Sequence, residues 1–145
     1  MTRAVEDAAY TCRSCSFSLW LPIARLDVSH LGLYDDARFP GRCLLVFDRH
    51  VEDFSTIPAE DAARFVGDLQ RAARAIAAVV KPARLNYALL GNKEPHVHFH
   101  LIPRPSDDPA LDQTPWHHPE PLTPLSHDRR NRLIEEIYEQ LGARE

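Results

Sequence analysis

His96-Val97-His98-Phe99-His100-Leu101-Ile102 is the stretch from which the rest of the chain is read. Imidazole and apolar side chains alternate along it. On a strand, successive side chains point to opposite faces, so His96, His98 and His100 share one face while Val97, Phe99 and Leu101 share the other. The apolar set suits packing against a helix. Three imidazoles have no comparable packing role, being costly in a core and unnecessary on a solvated face. One such histidine would read as a hydrogen-bonded structural residue or a surface residue; three at period two read as a functional site. The residue types leave two chemistries open. One is a metal site of three imidazoles. The other is a phosphate-directed site, with one neutral imidazole as nucleophile and another as hydrogen-bond donor.

The elements around this strand follow from periodicity. Residues 84–90 (RLNYALL) read as a second strand, linked to residues 96–102 by Gly91-Asn92-Lys93-Glu94-Pro95. Upstream, Ala62, Phe65, Val66, Leu69, Ala72, Ala73, Ile76 and Val80 recur at spacings of three and four. This predicts one face of a helix over residues 58–80, with Pro58 in its first turn, Glu60 and Asp61 following, and Pro82 just beyond its end. Residues 26–34 and 42–47 read as a strand pair joined by the turn-like residues 35–41, hence an antiparallel hairpin. Downstream, seven of the twelve prolines fall between Pro103 and Pro124, which predicts an extended surface loop there and excludes helix and central strand. A last helix is predicted over residues 128–141, burying Leu133, Ile134, Ile137, Tyr138 and Leu141, with Ser126 as N-cap and Gly142 as C-cap. The order describes an α+β domain with a mainly antiparallel sheet.

The chain has 145 residues, 44% of them hydrophobic and 26% charged. One domain, residues 1–145, is expected, large enough to bury a core without disulfides. With 17 Lys and Arg against 21 Asp and Glu, the net charge is −4. Neither nucleic acid nor an anionic membrane would be drawn to it by long-range attraction. No apolar run reaches the length of a membrane span, and residues 1–12 lack the basic and apolar regions of a signal peptide. A cytoplasmic protein is therefore expected, with neither membrane nor dedicated nucleic-acid partner. Three cysteines, Cys12, Cys15 and Cys43, make no disulfide framework. Cys43, in an apolar run, reads as a small core residue. Cys12-x-x-Cys15 has three readings: a redox pair, for which the required strand–helix context is lacking, two unrelated thiols, or half of a zinc site.

The histidine stretch, closed by Pro103-Arg104, resembles the signature of the histidine-triad (HIT) family. Leu85-Asn86-Tyr87-Ala88-Leu89-Leu90-Gly91-Asn92, Pro95, Asp107-Asp108-Pro109 and Pro115-Trp116 are similar to a bacterial branch of small HIT proteins. The resemblance covers about residues 12–116 and is strongest over 85–104. It implies a HIT-like fold of about five strands with one long central helix and a C-terminal helix. It implies a nucleotidyl hydrolase acting at the α-phosphate of a small nucleotide, such as a dinucleoside polyphosphate or a nucleoside phosphoramidate. A transferase or phosphorylase of the same family, or a nucleotide-binding regulator with slow turnover, are its alternatives.

Carried over by position, His98 is the nucleophile, its Nδ1–H held by the backbone carbonyl of His96, and His100 bonds the phosphate oxygens. Asn86 and Asn92 match residues near the substrate, and one of Asp35 and Asp36 matches an acid that holds the ribose hydroxyls. Many relatives carry a further histidine where this chain has Arg42, which could bind phosphate bidentately or face solvent; Lys93 likewise stands where several relatives carry a small hydroxyl residue. Several branches hold a structural Zn(2+) through residues matching Cys12, Cys15, His50 and His96, a closed tetrahedral set. His30, His117, His118 and His127 default to surface positions. Trp116 is expected either to be buried or to reach the substrate or a partner subunit. The family implies a homodimer.

Overall fold

A computed structural model describes residues 5–142 of the chain. Its centre is a five-stranded sheet built from β1 (Leu21–Arg25), β2 (Ser29–Leu33), β3 (Cys43–Phe47), β4 (Arg84–Ala88) and β5 (His98–Arg104). The spatial order is β1-β2-β3-β5-β4, every neighbouring pair antiparallel. A four-residue turn of helix, α1 (Val5–Ala8), precedes the sheet; α2 (Ala59–Val80) joins β3 to β4, and α3 (His127–Gly142) ends the described chain. This is the α+β architecture the sequence implies. Among the described residues, no helix is long and apolar enough to cross a membrane.

Alternation decides which face is covered by what. Leu31, Leu33, Leu45 and Leu101 point to the α2–α3 side and share one buried core with Phe65, Ile76, Leu133 and Ile137. Phe99 stacks on Phe65 of α2 at 5.5 Å between ring centroids. On the opposite face a smaller cluster of Cys12, Phe17, Leu19 and Val46 lies beneath the N-terminal segment. Leu19 crosses β2 at Gly32, where a Cβ would meet Leu19 Cδ2 at 2.9 Å. Only glycine lets the segment lie that close. Both faces of β2 are thereby buried.

Several expectations are corrected. The strand expected over 26–34 is β2 alone; residues 26–28 are the turn that joins it to β1, a strand that the sequence pattern does not predict. Pro22 masks β1, yet β1 is an edge strand with an irregular register at Pro22 and Ala24, a place where proline is tolerated. Pro103 was expected in an irregular loop but lies inside β5, between two strands. Pairing with β3 ends at Leu101, while pairing with β4 runs on to Arg104, so the missing N–H of Pro103 leaves no β3 partner unmet. His96 precedes the assigned strand, and β4 stops at Ala88 rather than residue 90. Pro58 occupies the N-cap of α2 rather than its first turn. Val66, expected on the apolar face, is 40% exposed at one edge of the stripe, while Asp68 at the other edge is buried. Ser126 caps α3 as expected, accepting from the Arg129 N–H at 3.2 Å.

Candidate functional site

The register of β3 and β5 sets the histidines in place. Val46 pairs with His98 and Leu44 with His100, while Leu45 and Cys43 oppose Phe99 and Leu101 on the core side. His98 and His100 therefore stand on the face away from α2, their rings 5.2 Å apart. They line a cavity of about 470 Å³ together with Phe17, Tyr34, Asn92 and Lys93.

His98 is held by its own backbone. Its Nδ1 donates to the His96 carbonyl at 2.7 Å, which leaves Nε2 without a proton in the neutral ring. Burial holds its pKa below the usual imidazole value, outweighing the bond to the His96 carbonyl. Phe17 packs on the ring at 4.9 Å. His100 is pushed down to about 4, by burial first and then by the charges of Arg42 and His98. Both imidazoles are thus neutral near pH 7. Neutral imidazoles at a phosphate site can act as a nucleophile and as a directed N–H donor.

Arg42 neither faces solvent nor lines the cavity. Its guanidinium is buried, with Nη1 donating to Asp36 at 2.8 Å and Nη2 lying 3.1 Å from His100 Nδ1. It stacks over the Tyr34 ring at 3.9 Å. Asp36 is fully buried and also takes Arg38. Despite its burial, these guanidinium bonds hold its carboxyl below the usual carboxylate range.

The remaining expected site residues divide. Asn92 lines the histidine cavity. Asn86 lies one strand over, in a neighbouring cavity of about 550 Å³ that also contains Trp116, and its Oδ1 accepts from Arg104 at 2.8 Å. The Asp35 carboxylate accepts from the Leu125 N–H and from Arg130, tying the proline-rich loop to α3. Asp35 and Asp36 are both engaged by protein donors outside the histidine cavity. Trp116 is 54% exposed and meets His100 edge-on at 6.4 Å. It is placed by Arg104, which is buried, pairs with Asp108 at 2.7 Å and donates to the carbonyls of Ala110 and Gln113. The sequence reading missed Phe17 and Tyr34 as walls of the site. Phe17, two residues after Cys15, carried a signal only once the cysteine pair was tied to His96.

Cys12, Cys15, His50 and His96 come together as expected, their ligand atoms all within 4.8 Å of one another. The second nitrogens test the fit to a metal. His96 presents Nδ1 to Cys15 Sγ at 3.5 Å while its Nε2–H donates to the Phe47 carbonyl at 2.7 Å. His50 presents Nδ1 to Cys12 Sγ at 3.7 Å while Nε2 meets Glu52 at 3.2 Å. Each imidazole is oriented by an outer oxygen and turns its other nitrogen inward, as metal-ligating histidines do. Although burial opposes ionisation of Cys12, the N–H groups of Cys15 and Ser14 bring its thiol down to about 6, a step toward the thiolate a metal requires. Two sulfurs and two nitrogens fit Zn(2+), which would have a structural role here because no position is left open for substrate.

The HIT domain model matches residues 23–107 of the chain. A comparison with curated proteins found no match. Among solved structures, a histidine triad protein from Bradyrhizobium japonicum is 21% identical, superimposes with a TM-score of 0.76 and covers 97% of this chain and 96% of its own. One from Marinobacter aquaeolei is 17% identical, with a TM-score of 0.74 and coverage of 99% and 96%. A Zn-bound histidine triad family protein from Mycobacterium smegmatis is 23% identical, with a TM-score of 0.60 and coverage of 85% and 86%. The alternating histidines on β5, the antiparallel sheet and the matching family model lead to one assignment: the chain belongs to the histidine-triad (HIT) family.

Proposed function

We propose that the protein is a nucleotidyl hydrolase that cleaves a small nucleotide, such as a dinucleoside polyphosphate or nucleoside phosphoramidate, at its α-phosphate. The supporting observation is the 2.7 Å bond from His98 Nδ1 to the His96 carbonyl, beside an open cavity. It frees the Nε2 lone pair to attack phosphorus. A new N–P bond forms as the bond from phosphorus to the leaving group breaks and that group departs with the electron pair. Water then attacks the phosphorus and gives up a proton to solvent, the N–P bond breaks with its electron pair returning to Nε2, and the neutral imidazole is regenerated. His100 donates to the phosphate oxygens, and Asn92 borders the same cavity. Covalent catalysis replaces one difficult displacement with two easier ones.

The test is intact-mass spectrometry of protein quenched rapidly with diadenosine triphosphate. An acid-sensitive nucleotidyl adduct mapping to His98 is expected. His98→Ala should lower turnover by at least about 10⁴-fold, a barrier increase of ~5.5 kcal/mol, with substrate binding largely kept. A His98→Ala variant that turns over at the wild-type rate would sink the reading. Release of the nucleotidyl group to an acceptor other than water would identify a transferase, and tight binding with negligible turnover would identify a regulator.

The same reading includes a cytoplasmic homodimer holding one structural Zn(2+) per chain. Among the described residues β4 is an edge strand whose outer backbone groups face no further strand, and exposed Tyr87 and Leu90 lie on and just beyond it, which favours two-fold pairing. Light scattering should give twice the 16.5 kDa of one chain; a monomer at micromolar concentration would refute the dimer.

A further inference from the structure

We infer that Arg42 is a positioning residue that fixes the tautomer of His100, so that the phosphate-facing histidine works as a neutral Nε2–H donor and never as an imidazolium. The inference rests on the proposed hydrolase reading for its functional meaning, but its structural content stands apart. A guanidinium has donors only. Nη2 of Arg42 lies 3.1 Å from His100 Nδ1, so that nitrogen must present its lone pair and the ring proton must sit on Nε2. The guanidinium is anchored on two further sides: Nη1 donates to buried Asp36 at 2.8 Å, and Cζ lies over the Tyr34 ring, 3.9 Å from its centroid. Asp36 in turn is clamped by Arg38 through Nε and Nη2 at 3.0 and 2.9 Å.

A proton added to His100 Nδ1 would therefore point at an N–H of a fixed cation. Around His100, the charged and titratable groups are Arg42 ahead of β3, Tyr34 beyond β2, His98 on β5, and Lys93 and Glu94 on the β4–β5 loop. Its low proton affinity agrees with this arrangement. The two histidines are then complementary by construction. A backbone carbonyl fixes His98 with a bare Nε2, and a cation fixes His100 with a protonated one. One atom attacks phosphorus and the other receives charge on its oxygens, with no proton redistribution before reaction.

The test is ¹⁵N NMR of histidine-labelled protein across pH, on wild type, Arg42→Lys and Arg42→Met. Wild-type His100 should show the Nε2–H tautomer and stay neutral at pH 5.5. Arg42→Met removes the donor and the charge but not the burial, so His100 should populate both tautomers and take up a proton at a higher pH than in the wild type. With diadenosine triphosphate, kcat should fall about 10- to 100-fold with a smaller change in KM, and an acid limb should appear in the pH profile. Arg42→Lys keeps a donor and a charge, so it should retain the tautomer and recover part of kcat, which guards against simple misfolding. An Nδ1–H tautomer in wild type, or an Arg42→Met protein with unchanged tautomer and pH profile, would overturn the inference. The tautomer requires no turnover: its presence without a His98 adduct would leave this inference standing and remove the hydrolase reading.

Discussion

At the scale of single residues, the site depends on how a histidine is told which nitrogen carries its proton. The His96 carbonyl does this for His98 and Arg42 does it for His100. Keeping His100 neutral, by burial first and by Arg42 second, has a cost in acid. In the unfolded chain His100 titrates near the ordinary value of 6.5, whereas in the folded protein it is held near 4. Between these values the unfolded state binds a proton that the folded state refuses, so stability contributed above pH 6.5 is lost as pH falls toward 4. Urea unfolding midpoints should therefore drop between pH 7 and pH 5, and the drop should be smaller in His100→Gln. Equal pH dependence in the two proteins would mean that His100 is not held neutral. The histidine alternation needed for this site is plain in the sequence. The role of Arg42 is not, because nothing in a string of letters tells that its guanidinium folds back beneath β5 onto Asp36 rather than outward.

Elements show the same divide between local pattern and tertiary placement. The facing of the β5 side chains is readable because period two separates imidazoles from Phe99 and Leu101 without reference to anything distant, whereas the pairing of β5 with β3 and β4 is not. The length of α2 was readable from its apolar stripe. Asp68 was not, since a carboxylate on that helix reads as solvent-facing until the β1–β2 turn is placed against it. In the fold its two oxygens accept from the Asp27 and Val28 N–H groups at 3.2 and 2.9 Å and from Ser29 Oγ at 2.7 Å. One buried side chain thus pins a hairpin turn to the middle of the long helix. Asp68→Ala would strand the buried Ser29 hydroxyl, at a cost of about 1–3 kcal/mol, and leave the partly buried Asp27 and Val28 N–H groups to water at a smaller cost. The variant should lose roughly 2–4 kcal/mol in urea titrations with an unchanged m-value, and Asp68→Asn should lose less because one acceptor remains. A loss in Asp68→Ala below about 0.5 kcal/mol, the range of an ordinary surface substitution, would show that the turn holds itself without the helix.

On the scale of the whole molecule, the metal cluster and the histidine cavity share one piece of chain. Cys12 and Cys15 supply two ligands, and Ser16, Phe17 and Ser18, which follow directly, form a wall of the cavity. Ser16 turns the chain there with a positive φ of 67°, and Phe17 then lies on His96 and His98 at once, at 5.6 and 4.9 Å. The segment is otherwise attached to the sheet by Cys12, Phe17 and Leu19 packed on Val46, by Leu19 over Gly32, and by Tyr10, whose ring lies on His30 at 5.1 Å and whose hydroxyl donates to the Asp48 carbonyl at 2.8 Å. Its small apolar cluster is separate from the main core, so the sheet and helices can remain folded while this segment lifts. Metal bound only in the closed arrangement stabilises it by about 4 kcal/mol when free metal exceeds Kd a thousandfold. Purified protein should carry one zinc per chain, and Cys12→Ser with Cys15→Ser should abolish it. In that variant, or after chelation, hydrogen exchange should rise over residues 10–19 while β2 and β3 stay protected, and Tm should fall on the order of 10 °C. Exchange that rises equally through β3 and α2 would mean the metal supports the whole fold. A zinc-free wild type prepared without chelator would remove the metal from the account, leaving Phe17 to be held by packing alone.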